Sequence, residues 1–471
     1  MKKLGLIFFL ALSALLLVAC GSPKPLSAPS NLRVEGTILK FDVVENAIRY
    51  RIKVIDEENK EKLYFVEQNT NLEELYMKPG KYTISIQSIG DKKYADSEYS
   101  TSIEYIQKDP YAVSELAGEN LQDTTKINWL GRTYFQSLNG TMFFYMTASG
   151  FEVKFYGTEL SAEFITSANP AGKEPHLVVF VDGETESTKG NLIVITSSKQ
   201  THVLVSGLEE GLHTVRVLKR SESIDSTTGV TKITTDGEFQ NVDSLKVRKI
   251  EFIGASSSVG FGNLAPNTDA PKTTQNSDGL RAFPYLAATM VDAELNIFSA
   301  SGWPLLLGPW GTNNNNIPTA YDYVNVYSNI LWNHANYSPD LIMIDLGTND
   351  MSYIKQLPAK DQPQAVENFI LYYIEFIKKL NQLHPEAKIL IVYGVNNESG
   401  IYKPTEDVYD RMQELHPEID LHIVQLPSMN AADGIGSSNH PSLVTHIKAS
   451  NALANTVNEI MGWEIVRENI K

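Results

Sequence analysis

The sequence predicts a multidomain chain: two all-β modules, then an α/β module with a parallel sheet. Three observations carry that expectation. At 471 residues the chain is too long for one ordinary core. Up to about residue 246, apolar and polar residues alternate with period two between Gly, Pro, Asn and Asp turns. From about residue 247, strand-like runs alternate with helical stretches, the pattern of a sheet covered by helices on both faces. The composition is globular, 42% hydrophobic and 20% charged. A net charge of −16 argues against a phosphate-backbone partner, so nucleic acid is excluded as a ligand class.

The chain begins "MKKLGLIFFLALSALLLVACGS". Lys2 and Lys3 form a positive n-region, and Leu4 to Val18 is an apolar stretch too short to span a bilayer comfortably. Residues 1–19 are therefore expected to be a signal peptide. "LVAC" (Leu17 to Cys20) resembles a bacterial lipobox, which implies cleavage before Cys20 and its lipidation. Cys20 is the single cysteine of the chain, so no internal disulfide can form. The expectation is a cell-surface lipoprotein, held to a membrane by its lipid, with residues 20–25 as a short linker.

Residues 26–107 read as all-β: "NLRVEGTILKFDVV", "RYRIKVIDE" and "KYTISIQSIG" alternate with period two. The "APSNL" opening, "LKFDVVENAIRYRIKV", "PGKYTISIQSIG" and "YADSEYS" resemble a fibronectin type III domain, with Phe41 where that family usually has Trp. Residues 109–246 are β-rich again. "FEVKFYGTEL", "PHLVVFVDGE", "NLIVITS", "THVLVSGL" and "HTVRVLKRS" are strands at the spacing of a sandwich or jelly roll.

Residues 247–471 supply the parallel sheet. "KIEFIGA", "LIMIDLG", "KILIVYG" and "LHIVQLP" are its strands. "QAVENFILYYIEFIKKLNQLH" is a helix with Val366, Phe369, Ile370, Tyr373, Ile377 and Leu380 on one face. A tail helix would put Leu443, Ile447, Ala454, Val457 and Met461 on one stripe. In such sheets the site lies at the carboxyl ends of the strands. "GASSS" (Gly254 to Ser258) and "LGTND" (Leu346 to Asp350) sit at two such ends.

A serine nucleophile needs a base and donors for the oxyanion of the tetrahedral intermediate. Chain order supplies Ser256 in "GAS", Gly302 in "SASGW", Asn349 in "GTND" and His440 in "NHPS". Three His-Pro pairs compete for the role of base. His384 and His416 close helices before strands, at the face opposite the site, whereas His440 lies after a strand and before a helix. Ser257 and Ser258 fit simple small-residue packing, and Asp350 a structural role. No His/Cys/Asp spacing suggests a metal, and no phosphate loop is present, so no cofactor is expected.

The four blocks, in this order, resemble an SGNH/GDSL-type hydrolase, which implies a flavodoxin-like three-layer α/β fold. The preceding "GR…F", "FVDGE" and "GLHTVRVLKRSE", with "IPTAYDYV" between the second and third blocks, narrow the resemblance to carbohydrate esterase family 2. That family implies a jelly roll joined to the SGNH domain. It also implies removal of acetyl groups from polysaccharides such as xylan or glucomannan, often at a primary 6-hydroxyl. Carried over by residue, Ser256 is the nucleophile and His440 the base, then the acid. Oxyanion donors would be the backbone N–H groups of Ser256 and Gly302 and the Asn349 amide. Trp303 and Trp310 follow the second block, where either a sugar-stacking or a wall-packing role suits them.

The sequence departs from the family pattern in three ways. Ala255 stands for the usual Asp of the first block. Ser437 and Ser438 occupy the positions of the acid that orients the base, with Asp433 the nearest upstream carboxylate, and Asn439 replaces a common Trp. The resemblance allows a Ser–His dyad in which a backbone carbonyl orients the imidazole, and that is the expectation here. Alternative readings are a non-catalytic carbohydrate-binding lipoprotein on the same fold, an esterase or lipase for another acyl group or for the cell's own envelope glycans, and an adhesin working through its β-modules.

Overall fold

The computed structural model describes residues 23–107, 113–167, 171–308 and 315–467. They form two compact units, divided between 107 and 113. The signal segment 1–19 and Cys20 lie outside the described residues.

The first unit is built on a four-stranded antiparallel sheet of Arg49–Asp56, Glu61–Val66, Gly80–Ile89 and Ile103–Gln107. Alternation does the work here. Ile52 and Val54 face inward with Ile84 and Ile86 of the neighbouring strand, and close on Leu39, Phe41 and Leu72. Phe41 is buried at the centre of that cluster.

In the second unit, residues 115–240 form two six-stranded antiparallel sheets around one apolar core. Phe144, Phe151, Phe155 and Phe164 fill it with Val153, Val215 and Ile233. Five parallel strands follow: β1 (Lys249–Gly254), β2 (Glu294–Ser299), β3 (Leu341–Asp345), β4 (Lys388–Tyr393) and β5 (Leu421–Gln425), in spatial order β2-β1-β3-β4-β5. The helices between and after them are α1 (Phe283–Met290), α2 (Ile317–Ala320), α3 (Thr348–Ile354), α4 (Gln362–Leu383), α5 (Tyr402–Leu415) and α6 (Leu443–Met461). Strands β1 to β4 are buried on both faces, and two apolar clusters, one carrying α4 and α5, the other α1 and α6, share the side chains of the sheet.

One helix face differs from its sequence expectation. The buried residues of α6 are Thr445, His446, Ala449, Ser450, Leu453, Ala454 and Val457, and Leu443 and Ile447 are only partly buried. The helix is rotated because His446 stacks on Phe283, with ring centroids 5.9 Å apart, and its Nδ1 accepts the Phe283 N–H at 3.3 Å. Periodicity counts apolar residues, and a hydrogen-bonded histidine is invisible to it.

The sandwich is welded to the parallel sheet. Leu130, Ala148, Val178, Phe180 and Leu218 join the cluster of Phe252, Phe283 and Leu295. Arg132, wholly buried, reaches from the sandwich to the start of β1. It donates through Nη2 to Glu251 Oε1 at 3.2 Å and through Nη1 to the carbonyls of Tyr321 and Tyr323. Its guanidinium lies 4.1 Å from the Phe298 ring centroid and 4.4 Å from that of Tyr321. Asn296 and the Tyr321 hydroxyl donate to the same Glu251 carboxylate.

Removing Arg132 leaves the Glu251 charge buried without its cation. Arg132→Ala is expected to destabilise the second unit by about 3–5 kcal/mol, read as a lowered urea midpoint. The double variant Arg132→Met/Glu251→Leu is expected to recover most of that loss, because no uncompensated charge remains.

Candidate active site

Strand register builds the site. Gly254 of β1 pairs with Ser299 of β2 and Asp345 of β3, so three strands end at one level. Ser256, Gly302 and Asn349 each follow one of those ends within four residues. Ser256 is 8% exposed, and the chain turns there into a short 3₁₀ segment, Ser257–Val259. Ser257 Oγ donates to Asp345 Oδ2 at 3.0 Å and Ser258 Oγ to the Ala255 carbonyl at 2.7 Å. The two neighbours thus tie down the turn that holds Ser256. Asp345, the acceptor of the Ser257 hydroxyl, is pushed up to about 6 by burial.

His440 precedes α6 and reaches back to the serine. Its Nε2 lies 2.8 Å from Ser256 Oγ. Its Nδ1 lies 3.1 Å from the carbonyl of Ser437 and 3.1 Å from that of Ser438. Two acceptors on Nδ1 fix the proton there and leave the Nε2 lone pair for the serine hydroxyl. This is the carbonyl-held imidazole expected from the sequence. Asp433 does not join it. Its carboxylate accepts from Lys448 Nζ at 2.6 Å and from Asn430 Nδ2 at 2.7 Å, and these partners hold it low.

The carbonyls are aimed by backbone that few residues adopt. Ser438 and Asn439 sit at φ +51° and +59° in succession. The loop 262–270 holds them there. Ser437 N–H donates to Gly262 O at 3.1 Å, Ser438 N–H to Thr268 O at 2.8 Å, and Ser437 Oγ to Ala270 O at 2.6 Å. Asn439 meets Thr268 Oγ1 twice, at 2.9 Å through its N–H and 2.9 Å through its Oδ1. Gly262 has to be glycine: its φ is +54°, and a Cβ there would lie 2.3 Å from Ser437 Cβ. Phe261 stacks on the imidazole with centroids 4.2 Å apart. Burial pulls the His440 pKa below the ordinary 6.5, against the two backbone acceptors and the Glu222 carboxylate, which raise it.

The second and third blocks are locked together. Asp350, wholly buried at the start of α3, accepts the N–H groups of Leu305 at 2.9 Å and of Leu306 and Leu307 at 2.8 Å each. Asn349 Nδ2 donates to the Trp303 carbonyl at 3.1 Å, leaving its second N–H to another acceptor. Gly302 adopts φ +78°, and a Cβ there would meet nothing within 4 Å, so backbone conformation and not crowding selects glycine. The stacking role considered for Trp303 is not what its ring does. The indole is 7% exposed, packed in the core and edge-on to Tyr327 at 5.6 Å. Its carbonyl, not its face, serves the site. Trp310 lies outside the described residues. His384 and His416 close α4 and α5, away from the strand ends that carry Ser256.

Sequence reasoning missed Glu222 and Lys272. Glu222, 2% exposed, comes from the sandwich and accepts from Ser301 N–H at 3.1 Å, Ser301 Oγ at 2.9 Å and Lys272 Nζ at 2.9 Å. Its one signal was its place at the end of "GLHTVRVLKRSE".

Comparison with known proteins agrees with this architecture. The family model "Carbohydrate esterase 2 N-terminal" matches residues 129–242, and "GDSL-like Lipase/Acylhydrolase" matches residues 250–452. The two in succession decide the family. The chain belongs to the family 2 carbohydrate esterases. Relatives of this chain include the cellulase/esterase CelE of Acetivibrio thermocellus, 26% identical over 348 residues, 73% of this chain and 40% of that protein. The chain thus spans about 40% of CelE's length. An acetylxylan esterase / glucomannan deacetylase of Cellvibrio japonicus is 25% identical over 342 residues, 72% of this chain and 89% of that one. A family two carbohydrate esterase from Clostridium thermocellum, solved with cellohexaose, superposes with a TM-score of 0.64 at 25% identity, covering 72% of this chain and 99% of its own.

Two outcomes are expected of this site. Asp433→Asn should leave kcat within about threefold of wild type, whereas loss of an imidazole-orienting Asp costs about 10⁴ in a serine protease. The acid limb of the pH profile of kcat/KM for p-nitrophenyl acetate should have its midpoint below the 6.5 of an ordinary imidazole. The folded pKa is depressed, so the neutral base persists until the pH drops through that lowered value.

Proposed function

We propose that this esterase is an extracytoplasmic carbohydrate O-deacetylase that hydrolyses acetyl esters through a Ser256–His440 dyad. The observation that carries the reading is the hydrogen-bonded line from the Ser437 and Ser438 carbonyls through His440 to Ser256 Oγ, 3.1 Å at one end and 2.8 Å at the other. His440 Nε2 takes the hydroxyl proton as Ser256 Oγ attacks the acetyl carbonyl. The negative charge that develops on the carbonyl oxygen is met by the N–H groups of Ser256 and Gly302 and by the Asn349 amide. As the intermediate collapses, the ester C–O bond breaks and the imidazolium returns its proton to the leaving sugar oxygen. Water, deprotonated by His440, then attacks the acetyl-serine, releases acetate and restores Ser256 with its proton. Nδ1 keeps its proton throughout, and the two carbonyl acceptors stabilise the transient imidazolium.

The names of the Cellvibrio japonicus and Acetivibrio thermocellus relatives support an acetylated polysaccharide or oligosaccharide as substrate. Finer assignments belong to the same proposal. Residues 26–107 form a fibronectin type III-like spacer, 109–246 a jelly roll and 247–471 the SGNH catalytic domain. Cys20 carries a lipid that holds the protein to a membrane. No described helix is long and apolar enough to cross one.

Acetate release from acetylated xylan and glucomannan tests the reading. Ser256→Ala and His440→Ala are each expected to lower kcat by more than about 10³-fold, and Asn349→Ala by about 10²–10³-fold. A wild-type protein that hydrolyses no acetyl ester, p-nitrophenyl acetate included, would overturn it and favour a glycan-binding role.

A further inference from the structure

The dyad and its donors all come from the α/β module, yet a carboxylate from the sandwich is built into the same place. The strand Gly211–Lys219 sets it there. Arg216, on that strand, reaches Glu294 at the start of β2, with Nη2 3.2 Å from Oε2. Three residues on, at Lys219, the strand ends, and the loop that follows meets Ser301, just past the end of β2. The loop is held rigidly. Lys219, wholly buried, donates through Nζ to the carbonyls of Tyr145 at 2.9 Å, Glu222 at 3.1 Å and Ser226 at 2.8 Å. Arg220 donates to the Ser277 carbonyl at 3.0 Å and the Gln275 carbonyl at 2.8 Å, which binds the loop to the α/β module.

Glu222 then grips Ser301 at two atoms, the backbone N–H and the hydroxyl. Its Oε1 also takes Lys272 Nζ, which pairs with Asp225 on its other side. A carboxylate 2% exposed accepts three hydrogen bonds and has its charge compensated, so it is not a stray surface acid. Holding Ser301 N–H fixes the peptide plane on one side of Ser301. The plane on its other side carries the Gly302 N–H, whose aim depends on the Ser301 backbone and on the φ of +78° at Gly302. Asp350 clamps the far end of the same loop at residues 305–307.

We propose that Glu222, supplied by the sandwich, is a positioning residue that fixes the Ser301–Gly302 peptide for oxyanion binding. The sandwich is thereby part of the catalytic apparatus and not a spacer beside it. This rests on the reading of Ser256 and His440 as the hydrolytic dyad. Glu222 acts through Ser301 and touches no reacting atom. Its carboxylate also faces the imidazole electrostatically. The other charged or titratable groups facing His440 are Lys272 from the loop before α1, which opposes Glu222, and His446 of α6, kept neutral by burial.

The test uses the full chain with p-nitrophenyl acetate and acetylated glucomannan. Glu222→Ala removes both acceptors and is expected to lower kcat by about 10-fold or more, with KM within about twofold, because a misaimed donor is missed chiefly in the transition state. Glu222→Gln keeps one acceptor oxygen and the side-chain volume. It is expected to recover part of kcat and to move the acid limb of the profile to lower pH, since a negative charge facing the imidazole is gone. Ser301→Ala, which loses the hydroxyl but keeps the N–H, is expected to lie closer to wild type. Should Glu222→Ala fail to fold by thermal melting, Glu222→Gln and Ser301→Ala still decide. Folded Glu222→Gln with kcat and acid limb both unchanged would overturn the proposal. So would a fall in melting temperature in all three variants with kcat intact, which marks a purely structural acid. An inactive wild type would overturn the dyad reading and this inference with it, whereas an active wild type with unaffected Glu222 variants would overturn this inference alone.

Discussion

The Arg132–Glu251 pair is the contact on which the second unit's geometry turns. Both side chains are buried, at 0% and 2% exposure, where an unpaired charge is costly. Each must therefore keep its partners, and the partners lie on different modules. Arg132 brings the sandwich, Glu251 brings β1, and Tyr321 and Asn296 bring the segments on either side. A buried pair of this kind adds little net stability over an apolar contact, but separating the modules that carry its two halves would leave each charge buried without its partner, which is costly. The placement of those modules matters because β1 ends three residues beyond Glu251, at the turn carrying Ser256. The sandwich thus holds β1 at its start through Arg132 and meets the far end of the sheet through Glu222.

A second constraint concerns the imidazole. Hydrolases of this chemistry often orient the base with a carboxylate, which also stabilises the imidazolium. In the proposed dyad two backbone carbonyls do so, and a carbonyl can be aimed only by shaping the chain. The shaping falls on neighbours with no chemistry of their own. Gly262 admits close approach, Thr268 caps the Asn439 segment, and Ser437 is tied to Ala270. Burial lowers the imidazole pKa, which favours the neutral ring. The absent acid is therefore a different solution to the same orientation problem, and Ala255 is part of an intact, buried turn rather than a break in it.

Much of the fold was legible in the sequence because it rests on periodicity. The alternation of Ile52 and Val54, the helical stripe of Phe369, Tyr373 and Leu380, and the block order Ser256, Gly302, Asn349 and His440 are all local patterns. The rotation of α6 was not legible, because His446 and Ser450 are buried polar residues that a hydrophobic count assigns to solvent. The burial of Trp303 was not legible either, since an aromatic after a strand end suits a wall or a core equally well until its neighbours are known.

By itself the sequence determined the order of the modules and the strand-end positions of Ser256, Gly302 and Asn349, and it singled out His440, rather than His384 or His416, as the base proposed for Ser256. Those follow from period, turn residues and the rule that such sites sit at the carboxyl ends of parallel strands. Tertiary structure alone decided what surrounds them: which carbonyls hold His440, why Asp433 stays with Lys448, and that Glu222 grips Ser301 from 79 residues away. The physical reason is the same in each case. A hydrogen bond is set by distance and angle to within a fraction of an ångström, and chain separation carries no information about either until the chain is folded.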